Sequence, residues 1–220
     1  MTLPVDTYLS VDDLNKFFQT LTLSILGYDS EVTAWEAYLI SIGAGHTWTD
    51  PIPANPYKKV RISWLTSGEP SWLITDNVCF IRAVEADDPI NRQREISESL
   101  LVISEIDWDN FAFRYTRVIN VFWNLYGPNS FDNAQKIRDG MFYPTYQETL
   151  SKNNLKLVPT TKSPVRLPEL FQGQWWERTD ISMIFNSLTV KNVQVPYAEA
   201  ADIIIEDYNG IVKEISIIEP

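Results

Sequence analysis

From Phe113 to Leu125 the chain alternates. The odd positions Phe113, Tyr115, Arg117, Ile119, Val121, Trp123 and Leu125 are apolar but for one arginine, while Arg114, Thr116, Asn120 and Asn124 stand at even positions. A period of two with one apolar face predicts a long half-buried strand. Gly127-Pro128-Asn129 stops it, because glycine frees the backbone and proline withholds a ladder donor. Ser130 is placed to cap the helix that follows, with Asp132 in a first turn where the helix dipole favours a carboxylate.

The same periodicities organise the rest. Ser10 is a cap for a first helix carrying Leu14, Phe17, Phe18, Leu21 and Ile25 at helical spacing, with Gly27 as its stop. Trp35, Tyr38, Leu39 and Ile42 suggest a second amphipathic helix ending near Gly43, although a strand also fits them. Three prolines between His46 and Pro56 mark an extended connector. Val60–Leu65 and Asn77–Val84 read as strands joined through Ser67-Gly68-Glu69-Pro70 into a long-looped hairpin. Asp87 to Arg94 is too polar for a strand, and the stretch onward to Asn110 is weakly patterned. Pro144 either kinks the central helix or begins a second piece running to about Leu150, and Pro159, Pro164 and Pro168 punctuate a further arm. Ile181, Met183 and Phe185 share one face of another strand; Asn209-Gly210 turns a last hairpin between Ile203–Ile205 and Ile211–Ile218. Roughly six strands and three helices, with the strands clustered, favour an α+β fold with a twisted, mainly antiparallel or mixed β-sheet and helices packed on it. One domain over 1–220 is expected, residues 1–56 forming a helical region and connector and 57–220 the core with its arms.

Charge narrows the partners. Eighteen basic against 29 acidic residues leave a net charge of −11, a poor footprint for reading duplex DNA or holding anionic membranes. The acidity is uneven: residues 1–56 hold seven carboxylates (Asp6, Asp12, Asp13, Asp29, Glu31, Glu36, Asp50) against Lys16. That region is either a solvated helical face or a surface that repels something negative. A single cysteine, Cys79, excludes an intrachain disulfide, and no signal-like or membrane-spanning segment stands out. A protein kept in a cytoplasm, with no membrane partner, is the expectation.

Catalytic chemistry is hard to find. With one histidine and one cysteine, His46 and Cys79, no His-Cys metal cage can form, and Cys79 in an apolar strand reads as a core thiol. Nucleophile elbow, phosphate loop and dinucleotide fingerprint are all absent. Carboxylates beside tryptophans, at Glu105-Ile-Asp107-Trp108-Asp109 and Trp175-Trp176-Glu177, leave a carbohydrate-active or carbohydrate-binding reading open, with Trp72, Trp108, Trp175 or Trp176 as stacking platforms. Asp107-x-Asp109-Asn110 lacks the glycine and distal glutamate of a calcium loop. No enzyme, cofactor or metal is expected. On a strand Trp175 and Trp176 point to opposite faces, so one enters the core and the other is covered by a second subunit or by its own loop.

Four blocks carry a resemblance. They are VRISWLTSGEPSW (Val60–Trp72), VCFIRAVEADDPINRQR (Val78–Arg94), WNLYGPNSFDNAQKIRDGMF (Trp123–Phe142) and RLPELFQGQWWERTDISMIFN (Arg166–Asn186). Together they resemble the neck or tail terminator group of bacteriophage tail-completion proteins. The resemblance implies a structural virion protein whose six copies form a ring that ends the tail and joins it to the head-side connector. Its partners would be itself as a homo-hexamer, a connector or head-completion protein, the tail tube and, in a contractile tail, the sheath. Location in the virion neck or tail, after assembly in the host cytoplasm, is implied too. A six-fold ring of −11 subunits carries about −66, which suits a channel through which DNA must slide without sticking. Another neck ring protein, such as a connector or sheath initiator, is the remaining structural reading. The arms 46–56, 86–110 and 159–177 are the expected reach to a neighbour, with Trp48, Asn91, Arg92, Arg94, Trp108, Trp175 and Trp176 as candidate contact residues.

Overall fold

A computed structural model of the chain describes residues 7–44, 51–62, 72–101, 108–171, 173–196, 200–207 and 210–218, and within 97–110 and 194–218 it is the backbone that is described. Helices α1 (Val11–Ile25) and α2 (Asp29–Gly43) come first, then strands β1 (Val60–Ile62), β2 (Val78–Glu85), β3 (Glu95–Leu101) and β4 (Trp108–Tyr126). Helices α3 (Ser130–Gly140) and α4 (Pro144–Lys152) follow. The chain ends in β5 (Leu155–Leu157), β6 (Val165–Arg166), β7 (Glu169–Phe171), β8 (Gln174–Trp176), β9 (Arg178–Pro196), β10 (Ala200–Asp207) and β11 (Gly210–Ile218). The fold is α+β, with a mixed, mostly antiparallel sheet.

Two compact units divide the chain: Leu9–Arg92 with Thr116–Leu188, and Met1–Tyr8 with Gln93–Tyr115 and Thr189–Pro220. In the first, the strand order is β1-β2-β4-β9-β5, with β6 beside β9. The expected alternation holds: Ile119, Val121, Trp123 and Leu125 of β4 and Ile181, Met183 and Phe185 of β9 are buried, in one core with Leu14, Phe18 and Leu21 of α1 and Ala134 and Ile137 of α3. Arg117, the polar exception, is buried as well. Its Nη2 donates to the Leu9 carbonyl at 2.6 Å, and its Nη1 lies 3.7 Å from Glu85.

Helix α1 begins where Ser10 predicts it. The Ser10 hydroxyl accepts from Asp13 N–H at 3.1 Å, and Ser10 N–H donates back to the Asp13 carboxylate at 3.2 Å, a reciprocal cap. The Ser10 bonds hold the Asp13 carboxyl below its usual pKa. Three polar residues along α1 then reach the sheet. Asn15 Oδ1 accepts from Ala83 N–H at 2.7 Å, beyond the last β1 pairing of β2; Gln19 Nε2 donates to the Val60 carbonyl at 2.7 Å; Thr22 Oγ1 accepts from the Trp123 indole at 2.9 Å. Gly140 of α3 lets that helix approach α1, since a Cβ there would come within 2.7 Å of Ile25.

Two expectations are corrected, and a stretch without a clear pattern gains an element. β1 and β2 pair in parallel, Val60 opposite Cys79 and Ile62 opposite Ile81, so they are not a hairpin; a parallel pair needs a long crossover, and residues 63–77 are available for one. Ser130 is the first residue of α3 rather than its cap: Asn129 takes the cap position, and the Ser130 hydroxyl bonds Thr179 Oγ1 at 3.1 Å in the interior. The weakly patterned stretch before Asn110 holds β3, antiparallel to β4 with Glu95 opposite Arg114, because backbone pairing rather than an apolar face defines it. The other outcomes follow the pattern. Gly127 turns the chain at φ 103°, where a Cβ would collide with the Asp76 carbonyl. Pro144 opens α4 at its first position, α2 is helical, and β10 and β11 pair antiparallel, with residues 208–209 of their turn outside the described residues.

In the second unit β3 pairs with the first half of β4, and Thr7 exchanges two bonds with Val190 of β9, at 3.1 and 3.0 Å. Its Arg94 guanidinium lies 3.9 Å from the Tyr115 ring centre.

Trp123→Ala, which empties the centre of the core, is expected to destabilise the protein by about 3–5 kcal/mol in denaturant unfolding. Thr22→Val, which leaves the buried indole N–H without its acceptor, is expected to cost about 1–3 kcal/mol.

Candidate assembly surface

β7 and β8 form a short antiparallel ribbon with Glu169 opposite Trp176, Leu170 opposite Trp175 and Phe171 opposite Gln174. Residues opposite each other share a face, so Leu170 and Trp175 stand together on one side. That side faces solvent, with Trp175 66% exposed and Leu170 57%. Trp176 turns the other way and packs edge-on against Trp72 (centroids 6.1 Å) and Phe171 (6.5 Å). The two tryptophans thus divide as the strand geometry predicts, although Trp176 is half-buried rather than part of the main core.

The ribbon has a firm mount. Arg178 Nε and Nη2 both bond Asp180 at 2.8 Å, and Nη1 lies 3.4 Å from Glu169. Tyr126 donates its hydroxyl to the same Glu169 carboxylate at 3.0 Å. The Asp180 bonds raise the Arg178 pKa despite its partial burial. Burial pushes the Tyr126 phenol up to about 12, against the opposing pull of Arg178. Trp72 closes the mount beneath: its ring contacts Phe80 (5.1 Å) and Tyr126 (5.8 Å), with the Arg61 guanidinium over it at 5.1 Å. Among the described residues the buried indole N–H groups of Trp72 and Trp176 meet no acceptor, and rings and ion pairs hold the ribbon.

Other candidates are differently placed. The Asn91 side chain is engaged within the chain: its Oδ1 accepts from Val118 N–H at 2.8 Å and its Nδ2 donates to the Ala86 carbonyl. It thereby fixes the 3-10 turn Pro89–Arg92, whose Arg92 forms a well-exposed pair with Asp87 at 3.0 Å. Arg94 lies on Tyr115 as above. Trp108 begins β4, where the backbone is described; Trp48, His46, Glu105 and Asp107 lie outside the described residues. As platforms for a sugar, Trp72 is unsuitable because its ring is already covered, and Trp175 is open. Cys79 is fully enclosed, and burial raises its pKa far above the usual thiol value. Among the described residues no group of three His, Cys, Asp or Glu side chains is gathered for a metal.

One apolar surface is larger than the sequence suggests. No residue of α2 is buried, and Leu39, Ile40 and Ile42 are exposed, Ile40 by 73%. The amphipathic reading from Trp35, Tyr38, Leu39 and Ile42 is corrected here: the apolar residues stand on every side of the helix, and no face of it is buried. Helix α2 is held mainly at its beginning, by Tyr28 and Val32 against the core and by Tyr57 donating to Glu36 at 3.2 Å.

A sheet-and-helix subunit that presents tryptophan and aliphatic side chains to solvent on a braced mount has the build of an assembly protein. The model of the family described as phage neck terminator protein matches residues 41–213, and the chain belongs to that family. It is therefore a structural protein of the phage neck. The match begins after α1 and most of α2. No curated protein matches the chain.

The raised Tyr126 pKa fixes the sign of a pH effect. Below pH 10 the phenol is protonated in both states; between 10 and about 12 the unfolded chain gives up its proton first, so stability contributed by this group is lost as pH rises through that window. Chemical unfolding of the parent is expected to weaken more steeply from pH 10 to 12 than that of Tyr126→Phe.

Proposed function

We propose that six copies close head to tail into a ring that ends the phage tail and joins it to the head-side connector, above the tail tube and, in a contractile tail, its sheath. The chain acts as a single terminator-like domain, assembled in the host cytoplasm and carried in the virion. The observation that carries the reading is the Leu170–Trp175 face, exposed yet rigidly mounted. Exposed aromatic residues on a fixed element are the usual anchors of protein interfaces, and a ring needs two unlike surfaces per subunit. Trp175 is the leading contact, with Trp48, Arg92, Arg94 and Trp108 as further candidates, Asn91 shaping the turn that presents Arg92 and Trp176 the back of the ribbon.

The charge supports the passage of DNA. A basic wall would bind the duplex by releasing counterions, whereas a chain with 29 acids and 18 bases offers a surplus that repels it. We expect the channel-facing surface to carry more Asp and Glu than Lys and Arg.

The test is electron microscopy of the purified protein and of assembled necks. Six-fold rings with an acid-rich lumen are expected, and a lumen lined by lysine and arginine would count against the mechanism. Trp175→Ala should weaken the subunit contact by at least about thirtyfold, a loss of about 2 kcal/mol, with the thermal midpoint unchanged. A sugar-binding screen should show no ligand, and Glu177→Ala no change in any hydrolytic activity.

A further inference from the structure

We infer that strand β11 of one copy pairs antiparallel with the outer edge of β3 of the next copy, with Lys213 opposite Glu98 and Ile215 opposite Ile96; this rests on the ring proposed above. Both strands belong to the second unit. Among the described residues β3 pairs with β4 alone, from Glu95 opposite Arg114 to Leu101 opposite Trp108, so its other edge carries a row of backbone donors and acceptors. That edge runs seven residues without a proline, a lysine or a shift of register, the features that commonly blunt an edge. β10 and β11 form a two-stranded sheet of their own. A two-stranded hairpin is marginal by itself in water, and a third strand is what secures such a sheet.

Charge and register select the edges that meet. β3 holds Glu95 and Glu98 and no cation, and β10 holds Asp202, Glu206 and Asp207 and no cation. Like charges therefore disfavour pairing of β3 with a second β3 or with β10, whereas β11 brings Lys213. With Lys213 set opposite Glu98 in the antiparallel sense, Ile215 falls opposite the exposed Ile96, and Glu214 falls opposite the uncharged Ser97. The rows then continue across four strands. Phe113 of β4 stands opposite Ile96 and Ile203 of β10 opposite Ile215, so the positions Phe113, Ile96, Ile215 and Ile203 form one apolar row. The two edges differ, so each copy offers one to each neighbour, which is the head-to-tail geometry a closed ring requires.

The test is a chain carrying both Ile96→Cys and Ile215→Cys, oxidised at high protein concentration and resolved by non-reducing electrophoresis; native Cys79 is enclosed and stays silent. A covalent ladder ending at six is expected. Adding Glu98→Lys should cut the cross-linked yield at least about tenfold, and adding Lys213→Glu to that chain should restore it, which a misfolded variant would not do. A bond formed within one chain, or a yield indifferent to both charge changes, overturns the pairing. A ladder ending at another number keeps the pairing and sinks the six-membered ring. Six-fold rings seen by microscopy without an interchain bond sink the pairing and leave the ring. A chain that neither cross-links nor forms rings overturns both.

Discussion

The hydrogen bond from the Trp123 indole to Thr22 is the contact on which the arrangement of the first unit depends. A tryptophan in the interior brings a large apolar gain and one donor that must be met. Phe18 and Phe185 pack around the ring, with centroids 6.1 and 6.5 Å away, and α1 supplies the acceptor. Thr22 does not act alone: Asn15, Gln19 and Thr22 fall on one stripe of α1 and reach β2, β1 and β4 in turn. The apolar stripe of Leu14, Phe18 and Leu21 supplies most of the cohesion but tolerates sliding, since apolar contact has no direction. The polar stripe removes that freedom, because a shift of one turn would leave three partners unmet at once.

Much of this was legible because the periods are clean. The odd face of β4, the Ile181-Met183-Phe185 face of β9 and the Ser10 cap are local patterns, and local patterns survive tertiary packing. What was hidden depended on partners distant in sequence. Val60–Ile62 and Val78–Glu85 read as strands, but nothing within either run fixes the direction in which they pair. β3 has Ile96 exposed and charged or polar neighbours at Glu95 and Ser97, so no apolar face announces it; its partner β4 does. Ser130 looked like a cap because serine before a helix commonly is one, yet Thr179 offered its hydroxyl a buried partner and Asn129 took the cap position. At the surface, the opposite orientations of Trp175 and Trp176 followed from strand geometry, whereas the Arg178–Asp180–Glu169 brace required the folded ribbon.

Covering one face of the sheet uses α1 and α3, and that leaves the unit with more apolar sheet than helix to cover it. The exposed side chains on α2, on the ribbon and on the even face of β4 and β9 are the remainder. A monomeric protein commonly limits such surface, so its retention points to burial elsewhere. A net charge of −11 sets copies of the chain repelling one another at long range.

A ring contact of the kind proposed above has to be specific at every subunit boundary. The ribbon's construction suits that demand. Trp175 loses little freedom on docking, because Arg178, Tyr126 and Trp176 already hold its strand, so the contact is specific without requiring a large area. The brace is partly exposed, and a partly exposed ion pair contributes little to stability by itself. Its effect is geometric: it aims one indole. In the ring proposed above such parts gain strength from repetition: each subunit is held on two sides, and a single copy leaving breaks both contacts at once.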